Sequence, residues 1–298
     1  MLVVPVFGQV LIFEKALPYL TAKHFLVCFP GNFSTLELVQ RVQKRFPRAD
    51  SPDNDHLHDG DSASFCGSGS QYRIPVGCRK VGGYKVFITG SKDSIEFGVF
   101  PSKRTDIALD QIQPLFELKI WRAQDIFEAA LANLNMVLHP GNLVYNAGWV
   151  EATKGDFLFY RVALTEAIEN MIQAIDKERR EISKAFGYKD ENCVQVWCRW
   201  YTDHKAKTLR EFIANRGPLN AAIKAPNKLQ NRYITEDFNY VLVPIMKYLA
   251  KVAGVQTPVS HATITAAEVL SGIKCEPARN FDMLLKGIRS PDDVKQRL

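Results

Sequence analysis

Apolar and polar positions divide the chain into three regimes. Residues 2–7 (Leu-Val-Val-Pro-Val-Phe) and Phe25–Phe29 are short, continuous apolar runs. Each is followed by apolar positions near helical spacing: Val10, Phe13, Leu17 and Leu20 within 9–20, then Leu36 to Phe46. Continuous apolar strands alternating with helices predict a parallel sheet covered on both faces. Residues 47–72 are dominated by Ser, Asp, Gly and His and predict a long loop or insertion. Strand-like patterns return at Arg73–Arg79, Lys85–Thr89 and Glu96–Phe100, and from Asp106 the pattern is helical almost to the end.

The clearest helix is predicted over Thr165–Phe186. Ile168, Met171, Ile172, Ile175, Ile182 and Phe186 line one face, Gly187 ends it, and Asp176, Lys177, Glu178, Arg179 and Arg180 are expected on its solvated side. A second helix is expected after Thr235 as N-cap, with Glu236 and Asp237 in its first turn, a bend at Pro244 and closure at Gly254. A third spans about Ile264–Leu270. The fold class is therefore α/β plus all-α: a fragmentary α/β unit over 1–115, then a helical domain over 116–298, with no internal repeat.

Composition narrows the function classes. Of 298 residues, 46% are hydrophobic and 23% charged, which places the chain among soluble globular proteins. The net charge of +6 comes from basic residues scattered among 32 acids, so nucleic-acid binding is not implied. The cluster Arg41, Lys44, Arg45, Arg48 reads as a solvated helix face. Six cysteines form no C-x-x-C pair and read as reduced thiols; Cys193, Cys198 and His204 fit no zinc spacing, so no metal is expected. The start MLVVPVFGQVLIF lacks a basic leader region and a small-residue cleavage site, and no apolar run reaches membrane-spanning length. The expected location is the cytoplasm. The sequence does not set the oligomeric state.

Several segments carry a more specific signal. They are P-V-F at 5–7, P-G-N at 30–32, I-P-V-G-C-R at 74–79, L-A-N-L-N-M-V-L-H-P at 131–140, F-L-F-Y at 157–160, I-D-K-E-R at 175–179, N-R-Y-I-T-E-D-F at 231–238 and G-V-Q-T-P at 254–258. In this order, over nearly the whole chain, they resemble the octopine/nopaline (opine) dehydrogenase family. The resemblance implies a Rossmann-type nucleotide domain followed by a helical catalytic domain. It also implies reductive joining of an amino acid's amine to a 2-oxo acid such as pyruvate, with NAD or NADP as cofactor. The family's opening strand, G-x-G-x-x-G turn and helix have no counterpart here. Cys66-Gly67-Ser68-Gly69-Ser70 lacks the third glycine, follows no strand and opens no helix. The sheet is thus expected to be the C-terminal half of a nucleotide domain, N-terminally truncated.

Such chemistry needs an acid/base near neutral pH and a cation for a carboxylate. The resemblance assigns the catalytic histidine to His139, expected at a helix–loop junction before Pro140. Asp237 is its expected partner, since a carboxylate on one imidazole nitrogen fixes the tautomer. Arg232 matches the family arginine that holds a substrate carboxylate with a bidentate fork. Asn133 and Asn135 are close enough in sequence to orient substrate or backbone. Pro5, Phe7, Pro30, Gly31 and Asn32 are expected at strand ends, where an open α/β sheet binds ligand and where the family borders the nicotinamide ribose. Tyr160 and Thr165 read as packing and capping residues. The residues alone leave plainer readings open, with Glu236 and Asp237 complementing a helix dipole and Arg232 on the surface. Three functions remain open: an active dehydrogenase, a cofactor-free relative that binds a ligand or a protein, and a scaffold that shares only ancestry.

Overall fold

Pro5 sets the end of the first strand. In the computed structural model, which describes residues 1–21, 24–45, 76–80, 83–202, 205–215 and 223–297, β1 spans only Leu2–Val3. Helix α1 follows at Val6–Ala16 and ends in a 3-10 turn at Leu17–Tyr19. A proline offers no N–H to a neighbouring strand, and its fixed φ suits the entry to a helix. The strand expected over 2–7 is therefore cut short, and the helix begins at Val6 instead of residue 9.

β1 pairs in parallel with β2 (Cys28–Phe29), and α2 follows at Ser34–Arg45. β3 (Val76–Lys80) and β4 (Val86–Ser91) form an antiparallel hairpin. The parallel pairing predicted from the two apolar runs holds for β1 with β2, while this hairpin is antiparallel. β5 (Ser94–Phe97) pairs in parallel with β6 (Lys119–Arg122), joined through α3 (Thr105–Ile112). β6 interrupts the stretch expected to be helical and completes a two-stranded sheet with β5, separate from that of β1 and β2. Val27, Phe29, Ile95, Phe97, Ile112 and Ile120 share one apolar core beneath these strands. Phe46, the segment 47–72 with Arg48 and the Cys66–Ser70 cluster, residues 73–75 and His204 lie outside the described residues.

The helical part comprises α4 (Ile126–Leu131), α5 (Asn135–Val144), α6 (Ala147–Thr153), α7 (Glu166–Ala185), α8 (Cys193–Trp200) and α9 (Leu209–Asn215). After these come α10 (Arg232–Thr235), two π-helical segments (Phe238–Leu242 and Pro244–Leu249), α11 (Ala250–Ala253) and α12 (Pro258–Ser271). Helix α7 matches its expected span: Thr165 caps it by accepting the Ile168 N–H, and Ile168, Ile172, Ile175 and Ile182 are buried. Gly141 lets α5 press against it, for a Cβ there would stand 2.7 Å from Ile172 Cγ1.

The charged side assigned to α7 is a correction. Asp176, Glu178 and Arg179 are buried, and of that run only Lys177 is exposed and Arg180 partly so. Burial is tolerated because each group is met by polar partners. Arg179 donates to Asp176 and to the carbonyls of Leu131 and Glu191, while Asp176 accepts the Cys193 N–H that opens α8. Glu178 accepts the N–H groups of Val259 and Ser260 and the Ser260 hydroxyl. It thus caps the first turn of α12, which starts at Pro258, not near Ile264.

Two further expectations shift. Asn231, not Thr235, caps α10, its Oδ1 accepting the Tyr233 N–H at 2.8 Å. Glu236 and Asp237 therefore fall after the helix, both buried, where the backbone widens into the π-helical segments; Pro244 opens the second of these. Gly254 closes the run with a left-handed backbone, as expected. Among the described residues no helix is long and apolar enough to cross a membrane.

Candidate active site

The motif around His139 folds as the heart of α5, not as a helix–loop junction. All ten residues of Asn135–Val144 are buried, with Pro140 inside the helix. Pro140 lacks an N–H and so removes one rung from the helical ladder beside His139. The F-L-F-Y segment reaches the same place from α6. It is tied to residues 223–225 by an antiparallel bridge between Leu158 and Lys224, through Phe159 N–H to Ile223 O (2.8 Å) and Ala225 N–H to Phe157 O (2.9 Å), and turns at Phe159–Tyr160. Gly155 makes the turn that aims it, with φ at +74° and no room for a Cβ, which would lie 2.3 Å from Pro226 O. Asn142, one turn beyond His139, donates to Phe159 O at 2.6 Å.

These elements enclose an imidazole bonded at both nitrogens. His139 Nδ1 lies 2.6 Å from Asp237 Oδ2, and Nε2 lies 2.7 Å from the Tyr160 hydroxyl. His139 is 1% exposed, Asp237 3% and Tyr160 7%, so water scarcely competes for these bonds. A carboxylate only accepts, which places the hydrogen on Nδ1 and leaves Nε2 of the neutral ring to accept from Tyr160. Tyr233 covers one face of the imidazole, ring centroids 4.0 Å apart. Asn135 Nδ2 donates to the other oxygen of Asp237 at 3.3 Å, completing the carboxylate's orientation.

A line of amides connects this dyad to the end of the parallel strands. The Asn135 N–H donates to Asn133 Oδ1 at 3.0 Å, and Asn133 Nδ2 donates to Asn32 Oδ1 at 3.1 Å. Asn32 and Phe33 both hold left-handed backbone, φ +43° and +62°, a costly conformation for a phenylalanine. Surrounding contacts hold the turn. Phe33 is buried edge-on between Phe127 and Phe281, and Arg279 donates to Asn32 O, Ser34 Oγ and Glu37 Oε2. Gln9 Nε2 donates to Val4 O and Pro30 O, which brings the start of α1 to the same turn.

The expected residues therefore separate into groups. His139, Asp237 and Asn135 meet, and Asn32 joins them through Asn133. Gly31 is buried in the turn and Pro30 is half-buried, while Pro5 and Phe7 are exposed, Pro5 at the entry to α1 and Phe7 in its first turn. Arg232 is 63% exposed at its side chain and pairs with Glu236 at 3.4 Å. Tyr160, Tyr233, Glu236 and Arg279 were not singled out as functional from the sequence. The two tyrosines lie inside the quoted F-L-F-Y and N-R-Y-I-T-E-D-F segments, which was the available signal; nothing local marks Arg279.

Glu236 carries a titration of its own. Burial pushes its carboxyl above the ordinary value near 4.5, with Asp237 adding to the rise, while Arg232 and the Val6 N–H oppose it. A carboxyl with a raised folded-state pKa contributes most below its ordinary value, and that contribution is lost as pH rises through the folded value. Glu236→Gln is thus expected to gain stability relative to the native chain between pH 4.5 and neutrality, read from urea midpoints across that range.

The resemblance implies a nicotinamide cofactor, and the residues present fit its reacting end. A turn at the C-terminal ends of two parallel strands, with Asn32 bonded to the dyad's amide line and Gly31 buried next to it in sequence, is where such a sheet receives a ligand. Among the described residues no glycine-rich turn forms a pyrophosphate cradle.

Comparison with known proteins gives this geometry a family. The model of the NAD/NADP octopine/nopaline dehydrogenase alpha-helical domain matches residues 122–271. The chain belongs to the octopine/nopaline dehydrogenase family. Among curated relatives, opine dehydrogenase of Arthrobacter sp. (strain 1C) is 28% identical over 63% of this chain and 51% of its own length. Vitopine synthase of Allorhizobium ampelinum is 28% identical over 65% of this chain and 52% of its own length. The chain thus spans about half the length of these relatives. Among solved structures, octopine dehydrogenase in complex with NADH and agmatine is similar over 98% of this chain and 76% of that one, with 20% identity and a TM-score of 0.63. NADP+-bound yersinopine dehydrogenase is similar over 99% and 77%, with 12% identity and a TM-score of 0.62. These likenesses support the fold: a partial Rossmann-type sheet followed by the family's helical domain.

Proposed function

We propose that this chain performs the opine dehydrogenase reaction, the reductive condensation of an amino acid with a 2-oxo acid such as pyruvate, dependent on NADH or NADPH. One observation carries the reading: a buried imidazole braced by a buried carboxylate, at the end of an amide line from the strand-end turn. When bound, the cofactor supplies a hydride to the carbon that becomes the new stereocentre. The chain's own residues handle everything else. His139 holds the proton exchanged with the reacting groups, and Asp237 fixes its tautomer. Asn135 keeps Asp237 oriented. Arg232, exposed and shared with Glu236, offers its guanidinium to a substrate carboxylate. Asn32, Gly31 and Pro30 in the strand-end turn, and Pro5 and Phe7 at the start of α1, would border the reacting end of the cofactor. Octopine dehydrogenase has been solved with NADH and L-arginine and with NADH and pyruvate, which supports the substrate class. The free thiols of Cys28, Cys193, Cys198 and Cys275 suit the reducing cytoplasm.

The test is a nucleotide-oxidation assay with the purified chain, pyruvate and a panel of amino acids. The expected result is oxidation of NADH or NADPH that requires both organic substrates, with the secondary-amine product identified by mass spectrometry. Amino-acid binding without nucleotide-dependent turnover would instead identify a non-catalytic, ligand-binding member of the family.

A further inference from the structure

The bonds beside the dyad form a closed circuit, and Arg279 is where it closes. On one side the amide line runs from Asp237 through Asn135 and Asn133 to Asn32 in the strand-end turn. On the other side Arg279 Nη1 donates to Asn32 O at 2.6 Å, and the neighbouring Ala278 N–H donates to Asn239 O at 2.8 Å. Asn239 belongs to the π-helical segment that Asp237 opens, so both routes start from one stretch of chain. Tyr240, next along that segment, places its ring centroid 4.9 Å from Arg279 Cζ.

Stability alone is a poor account of a guanidinium in this place. Arg279 is 5% exposed, and burial lowers its pKa, with Glu37 opposing the fall. It faces the first turn of α2, the positive end of the helix, where a cation is disfavoured. Apolar residues in place of a buried ion pair are often neutral or stabilising. What the planar fork supplies is geometry: fixed bonds to Asn32 O, Ser34 Oγ and Glu37 Oε2 at 2.6, 2.8 and 2.8 Å. Those bonds grip a turn in which Asn32 and Phe33 both hold left-handed backbone, and such a turn persists only where its surroundings over-determine it.

We propose that Arg279 is a positioning residue: it holds the strand-end turn in register with the Asp237 segment, so that the turn and the His139–Asp237 dyad keep one relative placement. The reaction it serves rests on the opine dehydrogenase reading. Arg279 acts through Asn32, whose carbonyl it holds while the Asn32 side chain accepts from Asn133. It also holds Ser34 Oγ, which donates to Gln9 and so ties the start of α1 to the same turn. Without the fork the circuit is open: the Asn32 peptide gains freedom, and the orientation of Asp237 rests on an amide line with a loose far end. A misplacement of about 1 Å at the reacting groups is enough to cost about 10²-fold in rate.

The test uses the full chain with Arg279→Met and Glu37→Gln together, which removes the guanidinium without stranding a carboxylate beside it. The first readout needs neither cofactor nor substrate: solvent exchange of the His139 Nδ1–H, by NMR on ¹⁵N-labelled protein. The expected result is exchange about tenfold faster or more, with the backbone amides of α7 as protected as in the native chain. A residue that only fills the core leaves the His139 exchange unmoved, or speeds exchange at the dyad and in α7 alike with a lower urea midpoint; either result overturns the proposal. The second readout is turnover, with kcat expected to fall about 10²-fold and KM for both organic substrates little changed. A raised KM with kcat retained overturns the positioning role. Should the paired variant not fold, Arg279→Lys keeps the charge but gathers its donors at a point instead of along a fork. Faster His139 exchange in that variant upholds the proposal, and native exchange overturns it. Faster exchange in the variant, with no opine turnover by the native chain, upholds the positioning role and rejects the reaction. Opine turnover by the native chain, with unmoved exchange in the variant, does the reverse.

Discussion

Asp237→Asn is expected to reduce turnover by about 10³–10⁴-fold, the scale seen where a carboxylate behind a catalytic histidine decides the tautomer. The amide line dictates how the new side chain must sit. Asn135 Nδ2 donates to Oδ1 of Asp237, so the carbonyl oxygen of an asparagine stays on that donor and its NH₂ faces His139. Two donors cannot share the bond, so Nδ1 must become an acceptor and the ring hydrogen moves to Nε2. Tyr160 then meets a donor where it had met an acceptor, and the imidazole loses both its charge partner and its ability to take a proton at Nε2. The reversed orientation is no better, since it sets the amide N–H groups of two asparagines against each other. Ring ¹⁵N shifts check the switch directly: the native chain should report hydrogen on Nδ1, the variant on Nε2. Native-like turnover, or an unchanged tautomer, would remove Asp237 from the mechanism.

That the two groups meet was legible only through the family-like segments around residues 131–140 and 231–238. Nothing in local pattern ties a histidine to an aspartate 98 residues away. Elements governed by near neighbours were readable: α7, from Thr165 at its cap to Phe186 at its end, follows from the spacing of isoleucines and the closing glycine. Elements decided by distant partners were not. β1 ends at Val3 because Pro5 intervenes, although the apolar run continues to Phe7. The first turn of α1 takes its cap from the Glu236 carboxylate, and that of α12 from Glu178, groups that sequence order keeps far away. Tyr160 reads as one more aromatic in an aromatic run, and only the fold of Gly155–Tyr160 against residues 223–225 reveals whose nitrogen its hydroxyl meets.

The burial of the α7 charges is the instructive case, because the signal was present. Ile172, Ile175, Asp176, Arg179, Ile182 and Ser183 fall at spacings of three and four and share one helix face; grouping residues 176–180 as a charged run conceals this. Arg179→Ala is therefore expected to behave as a core substitution and destabilise the chain by about 3–5 kcal/mol, the cost of leaving a buried ion without its partner. The side chains of Arg179 and Asp176 are 3% and 1% exposed, so solvent cannot take over the lost bond. Asp176 would keep its bonds from Cys193 but lose its cation, and the carbonyls of Leu131 and Glu191 would each lose a donor. Urea unfolding measures the loss. Adding Asp176→Leu to an Arg179→Met chain should cost less than the separate effects combined, by about 0.5–3 kcal/mol, because the second change removes the stranded charge. A surface pair would give the opposite pattern, with each substitution within about 0.5 kcal/mol and no coupling. The position of the Leu131 carbonyl extends the consequence to chemistry. Arg179 grips the end of α4 two residues before Asn133, where the amide line to Asp237 begins, so its loss should also loosen the hold on the His139 tautomer.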